Sequence, residues 1–344
     1  MIKEVLRPKL GLDKRQLELA IELVKSTFSE KLANNLNLMK VSAPLILTRK
    51  SGLNDDLSGI EKPVKVNVEG HQNGSVEVVQ SLAKWKRFRL KQLDIPVGHG
   101  LYTNMQALRQ DEVLSDIHSV CVDQWDWEKH IDQEDRKIPF LKQQVELIYN
   151  ALYESEQFVS SVYSEISASL PAKIHFIHSE DLAIRYPESS SKEREDQITK
   201  LYGAVFIIGI GGVLKASGIP HDNRAPDYDD WSTPSYKNYT GLNGDLLVWH
   251  PGLGRSLELS SMGIRVDRVA LAVQLAIASQ LEREALPFHQ AVLSDQVPLS
   301  IGGGIGQSRV VMFLLKKIHI GEVQHSVWTN DQLEDAGNKK IDFL

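Results

Sequence analysis

The residues most clearly suited to ligand binding or catalysis form the stretch Gly302-Gly303-Gly304-Ile305-Gly306-Gln307-Ser308-Arg309. Alternate glycines let a backbone turn tightly and approach a ligand with no Cβ in the way. The apolar run 310–315 that follows predicts a buried helix, whose N-terminal N–H groups and dipole favour an anion. Arg309 falls in the first turn of that helix, where a guanidinium suits the phosphates of a nucleotide and can also stack on its base. A purely structural turn before a core helix is the alternative that this stretch leaves open.

Two common nucleotide motifs do not fit these glycines. A P-loop needs Gly-Lys-Ser/Thr after its last glycine, whereas Gly306 is followed by Gln307 and Ser308. A dinucleotide-binding turn needs a preceding strand within a βαβ unit, but the segment 297–301 is broken by Pro298. The glycines therefore indicate an anion site of another architecture.

Charged residues elsewhere could complete a site for a magnesium nucleotide and a zwitterionic substrate. Mg²⁺ takes one or two carboxylates plus phosphate oxygens, arginines hold phosphates and carboxylates, and a substrate ammonium needs an acidic partner. A strand predicted over 118–127 places Gln124 and Asp126 on one face, where they are costly unless they bind something polar. The alternative is an edge strand whose polar end is exposed to water. The candidates are the acids Asp55, Asp126, Asp229, Asp245 and Glu258 and the cations Lys86, Arg109, Arg265 and Arg309.

The elements that must position these residues form an α+β pattern. Apolar residues at three- and four-residue spacing predict a helix over 14–36 with Asp13 as its N-cap, and further helices are predicted over 138–164 and 270–284. Strands are predicted over 39–47 (interrupted by Pro44), 64–69, 75–79, 173–177, 204–212, 246–250 and 257–266. Because the strands gather in the first and last thirds, we expect a mainly antiparallel sheet flanked by helices, not an alternating βαβ array.

The composition of the 344 residues narrows the function classes. The hydrophobic fraction is 42% and the charged fraction 24%, as in ordinary globular proteins. No apolar run approaches the roughly 18 residues of a membrane span, the N-terminus lacks the apolar core of a signal peptide, and the single cysteine, Cys121, fits a reducing cytoplasm. A net charge of −6 argues against a broad nucleic-acid surface. The basic cluster 84–91 is interpreted as a solvated helix face.

Three segments resemble, in order and spacing, the motifs of the class II aminoacyl-tRNA synthetases. The helix 14–36 with the Pro44 strand resembles motif 1, the dimer-forming element. Leu108-Arg109-Gln110-Asp111-Glu112 and the strand after it resemble motif 2, whose arginine contacts the α-phosphate of ATP, and the glycines with Arg309 resemble motif 3. A closer resemblance, to the bacterial ammonia-dependent aspartate–ammonia ligases (asparagine synthetase A), covers nearly the whole chain. It rests on segments 55–59, 81–87, 100–103, 122–127, 224–234, 241–245, 258–265 and the C-terminal glycines.

The resemblance implies a single class II synthetase-like catalytic domain over 1–344 that forms a homodimer in the cytoplasm. It implies that L-aspartate attacks ATP through its side-chain carboxylate, which releases pyrophosphate and leaves β-aspartyl-AMP. Ammonia then converts this anhydride to L-asparagine and AMP, with Mg²⁺ as cofactor and with neither nucleic acid nor membrane involved. Position 2 is Ile2, so the cysteine nucleophile that strips the amide from glutamine is lacking and free ammonia is the expected nitrogen source.

The resemblance also implies roles for individual residues. Arg109 would hold the α-phosphate and Arg309 the γ-phosphate and adenine, in an ATP site completed by Glu258, Gly304 and Gly306. Asp245 and Glu258 would bind Mg²⁺. L-Aspartate would be bound by Asp55, Ser81, Lys86, Gln124, Asp126, Ser261 and Arg265. The catalytic set is Arg109, Arg309, Lys86 and Asp229, the last orienting or deprotonating the incoming ammonium. The family has Asp-Asn where this chain has Asp55-Asp56, and Asp55 is the favoured candidate.

Two other function classes remain as alternatives. A tRNA-charging enzyme on the same core would need an anticodon-binding module, and the sequence has no separate small β-barrel or basic region. A catalytically inactive, synthetase-like regulator should have lost the ATP arginines or the acidic metal ligands, which this chain keeps.

Overall fold

The computed structural model describes residues 12–55, 57, 61–71 and 74–344. The helices in these ranges are α1 (Lys14–Leu36), α2 (Ala83–Gln92), α3 (Ile138–Val162), α4 (Ser179–Arg185), α5 (Ser191–Tyr202), α6 (Arg268–Ile277), α7 (Pro287–Leu293), α8 (Gln307–Leu314) and α9 (Asn330–Asn338). The strands are β1 (Leu38–Lys40), β2 (Ile46–Thr48), β3 (Lys65–Val66), β4 (Val76–Val78), β5 (Gly100–Leu108), β6 (Cys121–His130), β7 (His175–His178), β8 (Ala204–Ile208), β9 (Asn243–His250), β10 (Arg255–Ile264) and β11 (Ser300–Gly306). None of the described helices is long and apolar enough to cross a membrane.

A large sheet forms the centre of the molecule. Its eight strands follow the order β1-β5-β6-β11-β10-β9-β8-β7. The outermost pairs, β1–β5 and β7–β8, are parallel, and all the pairs between them are antiparallel. The predicted α+β class with a mainly antiparallel sheet is therefore confirmed. A smaller sheet has the order β2-β4-β3.

Helix α1 packs on one face of strand β6, so only the opposite face can carry the side chains of a site. The helix has the predicted bounds, because Asp13 accepts a hydrogen bond from the Gln16 N–H at 2.8 Å and forms a capping box. Its apolar stripe packs on the sheet, where the Phe28 and Trp125 rings lie 4.6 Å apart between centroids. Since side chains alternate along a strand, burying Trp125 and Trp127 in this core turns their neighbours to the opposite face.

The glycines at 302–306 form strand β11 and not the predicted turn. Gly302, Gly304 and Gly306 pair in register with Glu128, Asp126 and Gln124 of β6. A Cβ on Gly302 would lie 2.1 Å from the Glu128 carboxylate, and one on Gly304 would lie 2.4 Å from the Gln124 amide oxygen. The glycines thus leave room for the side chains of the neighbouring strand. The predicted helix follows at once as α8, with Gly306 at its N-cap position.

Other predicted elements are shorter or differently placed. The segment 39–47 is divided between β1 and β2, which belong to different sheets and flank the region of Pro44. The helix over 270–284 ends at Ile277, and the backbone turns at Ser279 with a φ of 56° before a 3₁₀ turn over Leu281–Ala285. The turn predicted between β3 and β4 includes residues 72 and 73, which lie outside the described residues.

The interpretation of the basic cluster 84–91 as a solvated helix face is wrong. The cluster does form a helix, α2, but Lys84, Lys86 and Arg87 are buried. Buried cations need partners, and these three find them on distant segments. Lys84 pairs with Asp227, Lys86 with Asp126, and Arg87 donates to the Val266 and Pro298 carbonyls.

Candidate active site

A cleft of about 310 Å³ lies over the face of β6, β11 and β10 that carries the polar side chains. Two of the predicted site residues, Asp55 and Asp245, lie outside its lining. The others all line it: Ser81, Lys86, Arg109, Gln124, Asp126, Asp229, Glu258, Ser261, Arg265, Gly304, Gly306 and Arg309. A second cavity shares Arg109, Gln124, Glu258 and Ser261 with the first, so the two adjoin.

One end of the cleft is positively charged. Arg109 directly follows β5, and its Nη1 stays 4.0 Å from the Glu112 carboxylate. Arg309, in the first turn of α8, donates to the Glu258 backbone carbonyl at 3.0 Å. Burial lowers the pKa of Arg109, and the nearby charge of Arg309 lowers it further against the opposing effect of Glu112. Two guanidinium groups with weak acidic partners suit an anion with several oxygens.

An acidic pair lies beside this positive end. Asp245 on β9 is opposite Ser261 on β10, and Glu258 lies on the same β10. Burial raises the pKa of Asp245 to about 6 against the effect of Arg224, and the charge of Glu258 adds to the rise. The described residues contain no group of three or more potential metal ligands. The pair nevertheless fits Mg²⁺, because this ion commonly uses one or two carboxylates and takes its other ligands from phosphates and water.

The other end of the cleft is built on Lys86 and Asp126. Lys86 is fully buried, donates to the carbonyls of Trp127 at 2.9 Å and Gly303 at 3.2 Å, and is paired with Asp126 Oδ1. The second oxygen of that carboxylate, Asp126 Oδ2, is buried without a partner. A buried carboxylate oxygen without a donor can receive the ammonium group of a ligand.

Glu128 is a residue that the sequence interpretation missed. It is fully buried, accepts from Arg265 Nη2 at 2.9 Å and from Ser300 Oγ at 2.7 Å, and lies 3.8 Å from Lys86 Nζ. Burial alone would raise the pKa of Glu128, but Arg265 and Lys86 hold it below its ordinary value. The predicted strand ended at 127, and extending its period of two by one residue would have added Glu128 to the face of Gln124 and Asp126.

Arg265 connects this buried acid to Asp229. Its Nη1 is paired with the Asp229 carboxylate, while its other nitrogens hold Glu128. Burial raises the pKa of Asp229 against the lowering effect of Arg265. Asp229 is therefore a carboxylate at the cleft that binds a proton more readily than an ordinary aspartate.

Asp55 lies behind the cleft at the start of α2. Its Oδ2 accepts the Ala83 N–H at 2.8 Å, and its Oδ1 lies 3.8 Å from Lys84 Nζ. This arrangement fixes the helix that carries Lys86. The alternative candidate, Asp56, lies outside the described residues.

Comparison with known proteins agrees with the family resemblance found in the sequence. A family model described as aspartate-ammonia ligase matches residues 15–340. Relatives named aspartate--ammonia ligase occur in Parabacteroides distasonis, 51% identical over 95% of both chains, and in Clostridium perfringens, 51% identical over 98% of this chain and 97% of the relative.

Solved structures confirm the predicted synthetase-like fold. The fold is similar to that of Entamoeba histolytica asparaginyl-tRNA synthetase in complex with asparaginyl-adenylate, with a TM-score of 0.64 and 16% identity. The match covers 90% of this chain and 66% of that one. The asparaginyl-tRNA synthetase from Pyrococcus horikoshii complexed with asparaginyl-adenylate matches 90% of this chain and 68% of its own, with a TM-score of 0.65 and 14% identity.

Proposed function

The chain belongs to the aspartate–ammonia ligase family, and on this premise we propose that its cleft converts L-aspartate, ammonia and ATP into L-asparagine, AMP and pyrophosphate. The observation that carries the proposal is the presence of two unlike ends in one cleft. Arg109 and Arg309 provide an anion site at one end, and the unpartnered oxygen of Asp126 provides an ammonium site at the other. A nucleotide and an amino acid bound at these ends would meet between them.

The first half-reaction is proposed at the positive end. A side-chain oxygen of L-aspartate attacks the α-phosphorus of ATP, and the bond from that phosphorus to pyrophosphate breaks. Arg109 would stabilise the charge that develops on the α-phosphate, while Arg309 holds the far phosphates and the adenine. Gly304 and Gly306 carry no side chain of their own, so the Gln124 amide and the Arg309 side chain can lie over them. Asp245 and Glu258 would hold Mg²⁺, which supplies positive charge to the phosphate oxygens when it is bound.

The second half-reaction needs the amino acid held in one orientation. Asp126 and Gln124 would receive the α-ammonium, while Lys86 and Arg265 present positive charge to its carboxylate. Ser81 and Ser261 line the same pocket. Asp55 would contribute through α2, because its carboxylate accepts the N–H of Ala83, the first residue of that helix.

Amide formation is proposed to depend on Asp229. Ammonia attacks the β-carbonyl carbon of aspartyl-AMP, the bond from that carbon to the AMP oxygen breaks, and a proton leaves the nitrogen. The raised pKa of Asp229 supports this carboxylate as the acceptor of that proton or as the group that orients the incoming ammonium.

We further propose a homodimer that works in the cytoplasm without nucleic acid. Exposed apolar side chains follow α1, at the segment that resembles motif 1: Met39, Leu45 and Ile46 are each more than 40% exposed. Such residues gain by burial in a partner. The net charge of −6 supports a small-molecule substrate over tRNA.

One assay tests the central proposal. The protein is incubated with ATP, Mg²⁺ and aspartate, with and without ammonium, and AMP and asparagine are followed. We expect both products in equal amounts with ammonium. Absence of asparagine would reject the proposal, equal activity with glutamine would reject ammonia as the nitrogen source, and aspartyl-tRNA formation on adding tRNA would favour the synthetase alternative. Arg109→Ala should abolish turnover, whereas the matched control Arg268→Ala, at an exposed ion pair with Asp295, should not.

A further inference from the structure

Arg224, for which no role was predicted, binds one of the two carboxylates assigned above to Mg²⁺. Its Nη2 lies 2.5 Å from Asp245 Oδ1 and 2.6 Å from Oδ2, and 3.2 Å from Ser261 Oγ. Its side chain is only 11% exposed. A single nitrogen therefore engages both oxygens of Asp245.

This contact and a metal ion at Asp245 compete with each other. Mg²⁺ approaches carboxylate oxygens to about 2.0–2.1 Å and demands near-octahedral geometry. Because Arg224 Nη2 contacts both oxygens of Asp245, an ion bound to this carboxylate would lie directly beside the guanidinium. Two like charges this close in a buried site repel strongly. Asp245 can thus hold Arg224 or the ion more easily than both.

Arg224 also borders a cavity next to the cleft, although its Nη1 donates to the Asn223 carbonyl at 2.9 Å. Arg224 lines the second cavity together with Arg109, Glu112 and Glu258. This cavity adjoins the positive end of the cleft, where the phosphates are proposed to lie. The Arg224 Nε has no hydrogen-bond partner, so the present position leaves part of the guanidinium unsatisfied. The planar fork of a guanidinium matches the geometry of phosphate oxygens and can donate to two of them at once.

We propose that Arg224 and Mg²⁺ exchange on Asp245: the guanidinium holds the carboxylate while the cleft lacks its nucleotide, and it moves to the phosphate oxygens when the ion takes its place. This inference rests on the proposed function, because it uses the same nucleotide and metal. It makes Arg224 a phosphate-binding residue that also keeps the ion from binding alone. Metal and nucleotide would therefore enter together.

The exchange predicts opposite effects of one substitution on two ligands. In Arg224→Ala, Mn²⁺ alone should bind more tightly, since its carboxylate is no longer occupied. If Asp245 is free in about a tenth of wild-type molecules, the gain is about ten-fold. Pyrophosphate with Mg²⁺ should bind about ten-fold more weakly, because a charge-assisted contact is lost. A residue that only supports the fold would weaken both ligands, and a residue that only binds phosphate would leave Mn²⁺ unchanged.

The experiment titrates Mn²⁺ into nucleotide-free protein by electron paramagnetic resonance and titrates Mg²⁺–pyrophosphate by calorimetry. Arg224→Gln serves as a second neutral variant if Arg224→Ala unfolds, and thermal melting identifies that case. Asp245→Asn should lose the Mn²⁺ site, and the exposed Arg268→Ala should behave as wild type in both titrations. Unchanged or weaker Mn²⁺ binding in the folded neutral variants overturns the exchange.

The wild-type assay separates the two proposals. If the wild type makes asparagine but the neutral variants fail to gain Mn²⁺ affinity, only the exchange is rejected. If the variants show the opposite shifts but the wild type makes no asparagine, the exchange stands and the proposed reaction is rejected.

Discussion

Replacing Gly304 by alanine should displace one side chain of the site and leave the fold intact. The three atoms nearest to the added Cβ all belong to the Gln124 amide group, at 2.4, 2.8 and 3.1 Å. Because these atoms end a flexible side chain, the amide can swing away without backbone movement. At Gly302, by contrast, the Cβ would also lie 2.6 Å from the Trp127 backbone carbonyl oxygen, which cannot yield as easily.

The size of the effect follows from the contact that is lost. A hydrogen bond between the Gln124 amide and a charged substrate contributes about 1.5–3 kcal/mol. At about 1.4 kcal/mol for each factor of ten, kcat/KM for aspartate should fall by roughly ten- to 150-fold in Gly304→Ala. The melting temperature should stay near the wild-type value.

A double-mutant cycle tests this mechanism. Steady-state AMP formation is measured at varied aspartate for the wild type, Gly304→Ala, Gln124→Ala and the double variant. If the Cβ acts only by displacing Gln124, adding Gly304→Ala to Gln124→Ala should cost almost nothing further. Additive losses in the double variant would refute this reasoning, as would a large drop in melting temperature for Gly304→Ala alone.

Three further predictions concern the buried charges, a histidine and the thiol. Glu128→Gln should lower the free energy of unfolding by about 3 kcal/mol or more, because it leaves the buried charges of Arg265 and Lys86 undercompensated; a denaturant midpoint equal to wild type would contradict this. Burial, with a smaller contribution from Lys316, lowers the pKa of His250 to about 4. Because an unfolded histidine titrates near 6.5, the folded state should lose stability as the pH falls from about 6.5 towards 4, and His250→Gln should lessen that loss in pH-dependent melting. Cys121 lines the cleft, so its labelling by a thiol reagent should slow about ten-fold at an ATP–Mg²⁺ concentration near ten times Kd; an unchanged labelling rate would argue against nucleotide binding there.

Local patterns predicted some elements completely. Helix α1 has both of its predicted bounds because a capping box at Asp13 and an uninterrupted apolar stripe determine them within one segment. The pairing of Gln124 with Asp126 on one face was predictable for the same reason, since strand alternation is a local property. Both side chains line the cleft.

Interactions between distant segments determine the features that could not be predicted from the sequence. The glycines of β11 are extended because β6 and β10 pair on either side, and neither strand is near them in the chain. The cations of α2 were interpreted as solvated because their partners, Asp126 and Asp227, lie far along the sequence. The contact between Arg224 and Asp245 depends in the same way on the path of the loop before β9. In each case the residue type could be read from the sequence, but its partner in the fold could not.

The central position of β11 also has a consequence for biosynthesis. Among the described strands it is the last to be made, yet it lies between β6 and β10, which meet their neighbours on one side only until it arrives. During translation one edge of β6 and one edge of β10 therefore stay unpaired until β11 is made, and unpaired strand edges can pair wrongly. The glycine-rich segment therefore closes this gap, and completes the candidate cleft, only after the other ten described strands have been made.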